Sequence, residues 1–205
     1  MDQSKKLFIF EESTRAEGFR LIAGVDEAGR GPLAGPVVAA AVILPEECAL
    51  LSGLDDSKKL TQRNRERLFP LITEEAISVG VGVVTHRVID EINILQATKK
   101  AMQKAVLKLT KRPEYLLIDG NTPLDITIHQ KTIIKGDSKS ASIASASIIA
   151  KVVRDRIMRG YDRVFPSYQF ASHKGYPTKA HINAIKHFGI CDIHRKTFKR
   201  VKEYL

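Results

Sequence analysis

One segment near the N-terminus limits what this chain can fold into more than any other. An apolar run over residues 21–25 stops abruptly at two adjacent carboxylates, Asp26 and Glu27. Such a run predicts a buried strand that delivers acidic side chains at its end. Two acids without an evident partner favour the binding of a hard metal ion, to which their carboxylates would be ligands. The segment therefore predicts both a strand of the core and a place where chemistry can occur.

The loop after this strand is cationic and carries little side-chain bulk. Gly29 and Gly31 flank Arg30, and glycine leaves the backbone bare so that another backbone can come close. The whole chain is also basic, with 33 Lys and Arg against 23 Asp and Glu and a formal net charge of +10. This balance favours a polyanionic partner such as nucleic acid. A generic basic surface is the alternative that charge alone leaves open.

Length and composition indicate a globular protein without a membrane partner. The 205 residues fit one domain with a helical appendage. No apolar run reaches the ~18 residues of a membrane span, and the N-terminus lacks a signal-peptide pattern. Cys48 and Cys191 lie far apart and form neither a disulfide framework nor a zinc spacing. We therefore expect a cytoplasmic location.

Apolar periodicity predicts an α/β protein in which a mixed sheet carries helices on its faces. The predicted strands are 20–25, 36–44, 77–84, 115–118 and 132–134, and the longer helices are 61–71, 87–111 and 138–159. Thr61 is the predicted cap of the first of these helices. Glycine and proline after the first strand predict a hairpin-like return. The remaining residues 161–205 predict loops and short helices.

Acidic residues stand at the ends of three predicted strands. Asp26 and Asp119 follow the first and fourth strands, and Asp137 lies in the turn after the fifth. Neighbouring strands bring such ends to one edge of the sheet, and a break at residues 28–29 lets Glu27 join them. Oxygen-only ligands select Mg²⁺ or Mn²⁺, and two such ions suit displacement at a phosphodiester. Asp119 or Asp137 taken alone is better explained as a turn or cap residue, and only the joint pattern of acids favours a catalytic site.

Four histidines near the C-terminus raise the question of a zinc site. His173, His181, His187 and His194 are separated by eight, six and seven residues. These spacings match no compact ligand motif, and no cysteine pair accompanies them. Ordinary polar roles are therefore expected.

Motifs along nearly the whole chain resemble those of type 2 ribonuclease H, the ribonuclease HII family. The motifs occur in the family's order at residues 26–42, 56–60, 118–121, 135–138, 146–152, 173–178 and 194–198. The resemblance implies a ribonuclease H-like five-stranded mixed sheet flanked by helices. It also implies a catalytic core over residues 1–160 and a C-terminal helical, substrate-binding portion over residues 161–205.

The same resemblance implies an activity and a metal site. It implies divalent-metal hydrolysis of the RNA strand of RNA–DNA hybrids, with incision 5′ of single ribonucleotides in duplex DNA. The products would carry 3′-hydroxyl and 5′-phosphate ends. By motif, the four metal-binding and catalytic acids are Asp26, Glu27, Asp119 and Asp137. The cofactor would be Mg²⁺ or Mn²⁺, with two ions during catalysis.

Substrate contacts are also implied by the resemblance. The backbone of Gly29, Arg30 and Gly31 would contact the ribonucleotide 2′-hydroxyl, which distinguishes RNA from DNA. Tyr176 would stack on the sugar past the junction, and Lys58 would contact the substrate backbone. Gln169 stands where the family often has glycine, which is a departure in local loop geometry.

Two other classes of function remain as alternatives. A catalytically silent nucleic-acid-binding module on the same fold would keep the basic surface but would have lost an acid. A phosphatase or nucleotide hydrolase would act on mononucleotides, although the chain has no phosphate-cradling loop of the Walker type. The partners expected are RNA–DNA hybrids and ribonucleotide-containing duplexes, and a monomer is the default state.

Overall fold

The computed structural model describes residues 7–48 and 60–205. Lys58, an expected substrate contact, lies outside the described residues. The described chain contains a five-stranded sheet with the order β3-β2-β1-β4-β5. The strands are β1 (Ile22–Ala28), β2 (Val37–Ile43), β3 (Ser78–Val84), β4 (Tyr115–Asp119) and β5 (His129–Ile133).

The sheet is mixed, as the sequence predicts. Strands β1, β2 and β3 pair antiparallel, which confirms the hairpin-like return, whereas β4 and β5 run parallel to β1. The carboxyl ends of β1, β4 and β5 therefore point to the same edge. This edge is where an open sheet of this kind places its binding site.

Strand β2 shows why the strands in the middle of the sheet read as continuous apolar runs. Every residue of β2 is buried, because helices cover both faces of the sheet. Ala40 and Val42 face one apolar cluster, and Ala39 and Ala41 face the other. The two clusters form the core on either side of the sheet.

Seven α-helices surround the sheet in the described part of the chain. They are α1 (Ile9–Ala16), α2 (Gln62–Glu75), α3 (His86–Leu107), α4 (Ala141–Val164), α5 (Phe170–His173), α6 (Lys179–Phe188) and α7 (Lys199–Lys202). Short 3₁₀ turns precede α4 at Gly136–Ser138 and follow it at Pro166–Tyr168. The predicted cap of α2 is confirmed, since Thr61 Oγ1 accepts a hydrogen bond of 3.3 Å from the Asn64 amide.

Helix α4 packs closely on β1 because small residues line the contact. A β-carbon on Gly24 would lie 2.0 Å from the carbonyl carbon of Ser142, so only glycine permits this approach. The first turn of α4 is held by the Glu11 carboxylate, which accepts from the Ser142 amide at 2.9 Å, and by Ser140, whose Oγ accepts from the Ile143 amide at 3.2 Å. The helix that crosses the centre of the sheet is thereby fixed at its start.

Two predicted boundaries at the ends of α4 differ from the structure. The helix expected from residue 138 begins at Ala141, because a 3₁₀ turn with Lys135 at φ 57° takes up residues 136–138. The same helix continues to Val164, so residue 160, the predicted end of the core, lies within one continuous helix. The division into core and C-terminal portion stays a prediction.

The C-terminal segment packs against the end of α4. Its apolar centre contains Phe170 and Ile185 together with Met158 of α4. A single β-bridge joins Ala34 to His194, which ties the segment to the loop after β1. None of the helices described here is both long and apolar enough to cross a membrane. In the described part of the chain, neither Cys48 nor Cys191 forms a disulfide.

Candidate active site

The ends of β1 and β4 bring three of the predicted acids to one cavity. Val25 pairs with Ile118 in the parallel register, so Asp26 and Asp119 follow at the same level of adjacent strands. A cavity of about 550 Å³ opens at this edge. The described residues that line it are Asp26, Glu27, Ala28, Gly29, Arg30, Gly31, Arg65, Asp119, Ser147, Lys151 and Tyr176.

Asp26 carries a strongly perturbed carboxyl group in this cavity. Only 4% of its surface is exposed, and its Oδ1 accepts a hydrogen bond of 2.7 Å from the Glu27 amide. Burial raises the pKa of Asp26 well above its usual range, and the charges of Glu27 and Asp119 raise it further. Hydrogen bonds from Ser147 and from the Glu27 amide oppose the shift. The site thus resists holding these negative charges without a counter-ion.

Asp119 connects the end of β4 to the turn that carries the fourth acid. Its Oδ1 accepts a hydrogen bond of 2.6 Å from the Gly136 amide. This bond holds the 3₁₀ turn beside the sheet edge, and Asp137 follows directly on that turn. Asp137 is 1% exposed and is not among the described residues that line the cavity. The structure therefore gathers Asp26, Glu27 and Asp119 at the cavity, and Asp137 is buried within the adjacent turn.

The oxygen donors of these acids suit a hard divalent cation by their chemistry. Their spacing in this structure is wider than a bound ion would require. All of the acids offer oxygen, which Mg²⁺ and Mn²⁺ prefer, and the raised pKa of Asp26 reflects a charge cluster that a cation would relieve. Within the described residues, no group of three or more His, Cys, Asp or Glu side chains is close enough to hold a metal ion. Asp26 and Asp119 each accept a hydrogen bond from a backbone amide through one carboxylate oxygen.

The loop over residues 29–31 forms one wall of the cavity, and its shape depends on glycine. Gly29 has φ +98°, and a β-carbon there would lie 2.0 Å from Nε of Arg154. The Arg30 side chain is about half exposed and meets Glu27 at 3.4 Å, so this ion pair contributes little to stability. The backbone of the loop, not the Arg30 side chain, is held by the interior.

Tyr176 lines the same cavity as the acids and lies next to the glycine loop. Its ring Cε1 lies 3.8 Å from the position a β-carbon on Gly31 would take. The residue is 40% exposed, and Lys151 Nζ and Arg154 Cζ each lie 5.9 Å from the ring centroid. A half-exposed aromatic ring flanked by cations suits contact with a nucleotide.

Sequence reasoning did not single out three of the residues that line the cavity. Ser147 and Lys151 are four residues apart on α4 and so share one face of the helix. Both fall in the motif at residues 146–152, which was the available signal. Burial lowers the pKa of Lys151, and its ion pair to Asp155 at 2.6 Å opposes this. Arg65 of α2 is the third and belongs to a run of arginines on that helix.

Three of the four C-terminal histidines pack together, two of them joined by a hydrogen bond, and among the described residues they form no metal site. His194 Nδ1 accepts from the Cys191 amide at 2.9 Å, so its proton lies on Nε2, which donates to Nε2 of His181 at 3.0 Å. His181 Nδ1 then donates to the Tyr176 carbonyl at 3.0 Å. His173 stacks on His181 with ring centroids 4.5 Å apart. These neutral rings support the backbone of Tyr176.

An acid-lined, cation-walled cavity at the edge of a mixed α/β sheet defines a class of phosphodiester hydrolases. Comparison with known proteins gives the family. The model of the Ribonuclease HII family matches residues 23–201. Ribonuclease HII of Geobacter metallireducens is 59% identical over 201 residues, which cover 98% of this chain and 94% of the relative. Ribonuclease HII of Bacillus subtilis is 56% identical over 196 residues, covering 95% and 76% respectively.

A solved structure agrees with these relatives. The ribonuclease H2 from Pyrococcus horikoshii superposes with a TM-score of 0.74 at 28% identity, covering 89% of this chain and 96% of that one. The chain belongs to the ribonuclease HII family and is therefore an endoribonuclease of the ribonuclease H type. The five-stranded mixed sheet with flanking helices, expected from the motifs, is confirmed.

Proposed function

We propose that this endoribonuclease, besides cleaving the RNA strand of RNA–DNA hybrids, incises duplex DNA on the 5′ side of single embedded ribonucleotides. The products would carry 3′-hydroxyl and 5′-phosphate ends. One observation carries this proposal: the carboxylates, the glycine loop and Tyr176 all line the same cavity. Residues that can recognise a ribose therefore lie in the same cavity as the carboxylates that can support cleavage of the neighbouring phosphodiester. Removal of ribonucleotides during DNA repair and replication would follow from this specificity.

The acids are the metal-binding and catalytic groups in this proposal. Asp26, Glu27 and Asp119 would hold Mg²⁺ or Mn²⁺, with Asp137 joining them from the adjacent 3₁₀ turn. When bound, two such ions activate water and stabilise the leaving oxygen of a phosphodiester. The residues around them bind the charge of the substrate, since Lys151 and Arg65 face the cavity. Ser147 holds Asp26 by a hydrogen bond and so keeps its carboxylate directed to the shared space.

Recognition of ribose is assigned to the loop over residues 29–31 and to Tyr176, which line the same cavity. The amides of the 29–31 loop can donate to a 2′-oxygen, which deoxyribose lacks. The exposed ring of Tyr176 can stack on the adjoining sugar, and the neighbouring Lys151, which also lines the cavity, adds positive charge that attracts a nucleotide. A substrate without a 2′-hydroxyl would leave those amides unpaired, which disfavours DNA.

The decisive experiment is cleavage of a duplex that contains one ribonucleotide. We expect one incision 5′ of that residue when Mg²⁺ or Mn²⁺ is present, and none with a chelator or with an all-DNA duplex of the same sequence. Product ends are mapped by resistance or sensitivity to phosphatase and by mobility. Cleavage of long hybrids without cleavage of this duplex would contradict the proposal.

The matched variant is Asp26→Asn, which removes a ligand oxygen while keeping size and basic surface. We expect cleavage to fall by at least ~100-fold, beyond the loss typical for partners outside the ligand shell of a metal. Binding of the duplex should persist. A parallel loss of binding would remove Asp26 from the catalytic role, and binding without cleavage in the unsubstituted enzyme would favour a silent nucleic-acid-binding module.

A further inference from the structure

Two arginines are buried beneath the loop that faces the substrate. Arg154 of α4 and Arg195 after α6 both have no exposed surface. Within the described chain, neither forms a salt bridge with a carboxylate. Burial lowers the pKa of Arg195 to about 9, and the charge of Arg154 adds to the shift. Keeping two cations side by side in the interior is unfavourable unless other groups satisfy them.

Backbone carbonyls of the loop satisfy Arg195. Its Nη2 donates to the Gly29 carbonyl at 2.6 Å, and its Nη1 donates to the Arg30 carbonyl at 3.0 Å. Its Nε donates to the Gly35 carbonyl at 3.0 Å, and Nη2 also reaches the Pro36 carbonyl at 3.2 Å. One guanidinium therefore anchors both ends of the loop between β1 and β2.

This anchoring fixes which way the amides of the loop point. A trans peptide is planar and places its carbonyl and N–H on opposite sides. With the Gly29 carbonyl turned to Arg195, the Arg30 amide points away from the interior, and the Arg30 carbonyl likewise directs the Gly31 amide outward. In the described residues neither amide has a hydrogen-bond partner, and both residues line the cavity.

We propose that Arg195 is a positioning residue for ribose recognition, because its two bonds to the loop carbonyls present the Arg30 and Gly31 amides to the 2′-oxygen of the substrate. The inference rests on the proposed function of this loop. It assigns the ribose selectivity to a side chain that itself never touches the nucleic acid. The planar, forked donors of arginine suit this task, since lysine offers a point charge and cannot span several carbonyls.

Arg154 provides a matched control. It is equally buried and donates to the carbonyls of Ala34, Pro36 and Lys174 at 3.2, 3.0 and 3.1 Å. None of these carbonyls belongs to residues 29 and 30. An Arg154→Lys change removes a comparable set of bonds and keeps the charge, but it leaves the Gly29 and Arg30 carbonyls on Arg195.

The experiment measures selectivity by binding, separately from cleavage. Three proteins carry Asp26→Asn to prevent turnover: the parent, one with Arg195→Lys and one with Arg154→Lys. Each is titrated by fluorescence anisotropy with a duplex containing one ribonucleotide and with the all-DNA duplex of the same sequence. The ratio of the two Kd values cancels general losses of affinity, and circular dichroism reports the fold.

We expect the parent to prefer the ribonucleotide duplex and Arg195→Lys to lose ~5-fold of that preference, the effect of about one hydrogen bond. Its affinity for the all-DNA duplex should be kept, and Arg154→Lys should keep the ratio. An unchanged ratio in Arg195→Lys, or an equal loss in both variants, overturns the inference. A parent without preference shows instead that the proposed ribonucleotide recognition is wrong.

A folding failure of Arg195→Lys is met with a second variant. Arg195→Gln keeps an amide that can donate to a loop carbonyl while removing the buried charge. The same ratio is measured, and a loss relative to Arg154→Lys supports the inference. If neither Arg195 variant folds at 25 °C, Arg195 serves the stability of the whole chain, and the inference is overturned.

Discussion

At the scale of single residues, the site combines groups that are costly to keep. Asp26 is an acid in a buried, negatively charged place, and Arg195 is a cation among carbonyls. Both cost stability in the free protein and are useful only toward a ligand. Such conflicts between local stability and arrangement mark functional sites.

Asp26→Asn should therefore stabilise the metal-free protein near neutral pH. The folded pKa of Asp26 is raised, so the folded state binds its proton more tightly, and its contribution to stability falls as the pH rises above the unfolded pKa. We expect a higher Tm for the variant at pH 7 with a chelator present. The difference should shrink as the pH approaches ~4, the ordinary range of Asp, in thermal scans followed by circular dichroism. A lower Tm for the variant at pH 7 would contradict this.

Tyr176→Ala should reduce incision at isolated ribonucleotides without unfolding the protein. The ring is 40% exposed, so its loss removes little from the core. Stacking on a nucleotide is worth roughly 1–3 kcal/mol, which corresponds to a fall of roughly 5- to 160-fold in kcat/KM. Tyr176→Phe keeps the ring and is the control. If Tyr176→Ala cleaves as fast as the unsubstituted enzyme, the tyrosine is not part of the site.

At the scale of elements, the contact of α4 with β1 places Ser147 and Lys151 at the cavity that Asp26 and Asp119 also line. Gly24→Ala would push a β-carbon against the backbone of Ser142, and backbone has no rotamer to change. We expect destabilisation of at least ~3 kcal/mol, measured by urea unfolding. Gly160 of α4 is the control, because a β-carbon there would meet open space. Gly160→Ala should stabilise by roughly 0.5–1 kcal/mol, and equal effects would refute the packing argument.

Sequence patterns located the elements well because their signals are local. The Thr61 cap and the apolar run of β2 depend on neighbours in the chain. The end of β1 was placed three residues early, at Val25, because the apolar pattern stops there. Asp26 and Glu27 nevertheless pair with Ala40 and Ala39 of β2, so ladder hydrogen bonds extend the strand into polar sequence.

The candidate site was predictable where motifs name residues and was hidden where it depends on the tertiary fold. The convergence of Asp26 and Asp119 followed from parallel strand ends. The arginine beneath the loop could not be found in this way, because Arg195 reaches carbonyls 159 to 166 positions away in sequence. The burial of Asp137 within a 3₁₀ turn is equally invisible to strand patterns.

At the scale of the whole molecule, the net charge of +10 should govern affinity for nucleic acid. Phosphate contacts release counterions, so log Kd should rise linearly with log salt, by ~0.9 per contact. Arg65→Gln, at the cavity wall, should reduce the slope by about 1. Lys108→Gln, at an exposed position outside the lining, should leave it unchanged. Equal slopes for both variants would show that nucleic acid does not contact Arg65 at the cavity wall.

The neutral histidine group gives the molecule a weakness toward acid. Burial lowers the pKa of His181 and His194 to about 4, well below their value of about 6.5 in an unfolded chain. The unfolded state then takes up protons first, and stability falls as the pH drops from about 6.5 toward 4. Hydrogen exchange at pH 5 should show the C-terminal segment opening before the sheet. Acidification would thus reduce the activity of the enzyme, because the opening of this segment releases the hydrogen bond that supports the Tyr176 backbone. The carboxylates at the sheet edge would keep their positions.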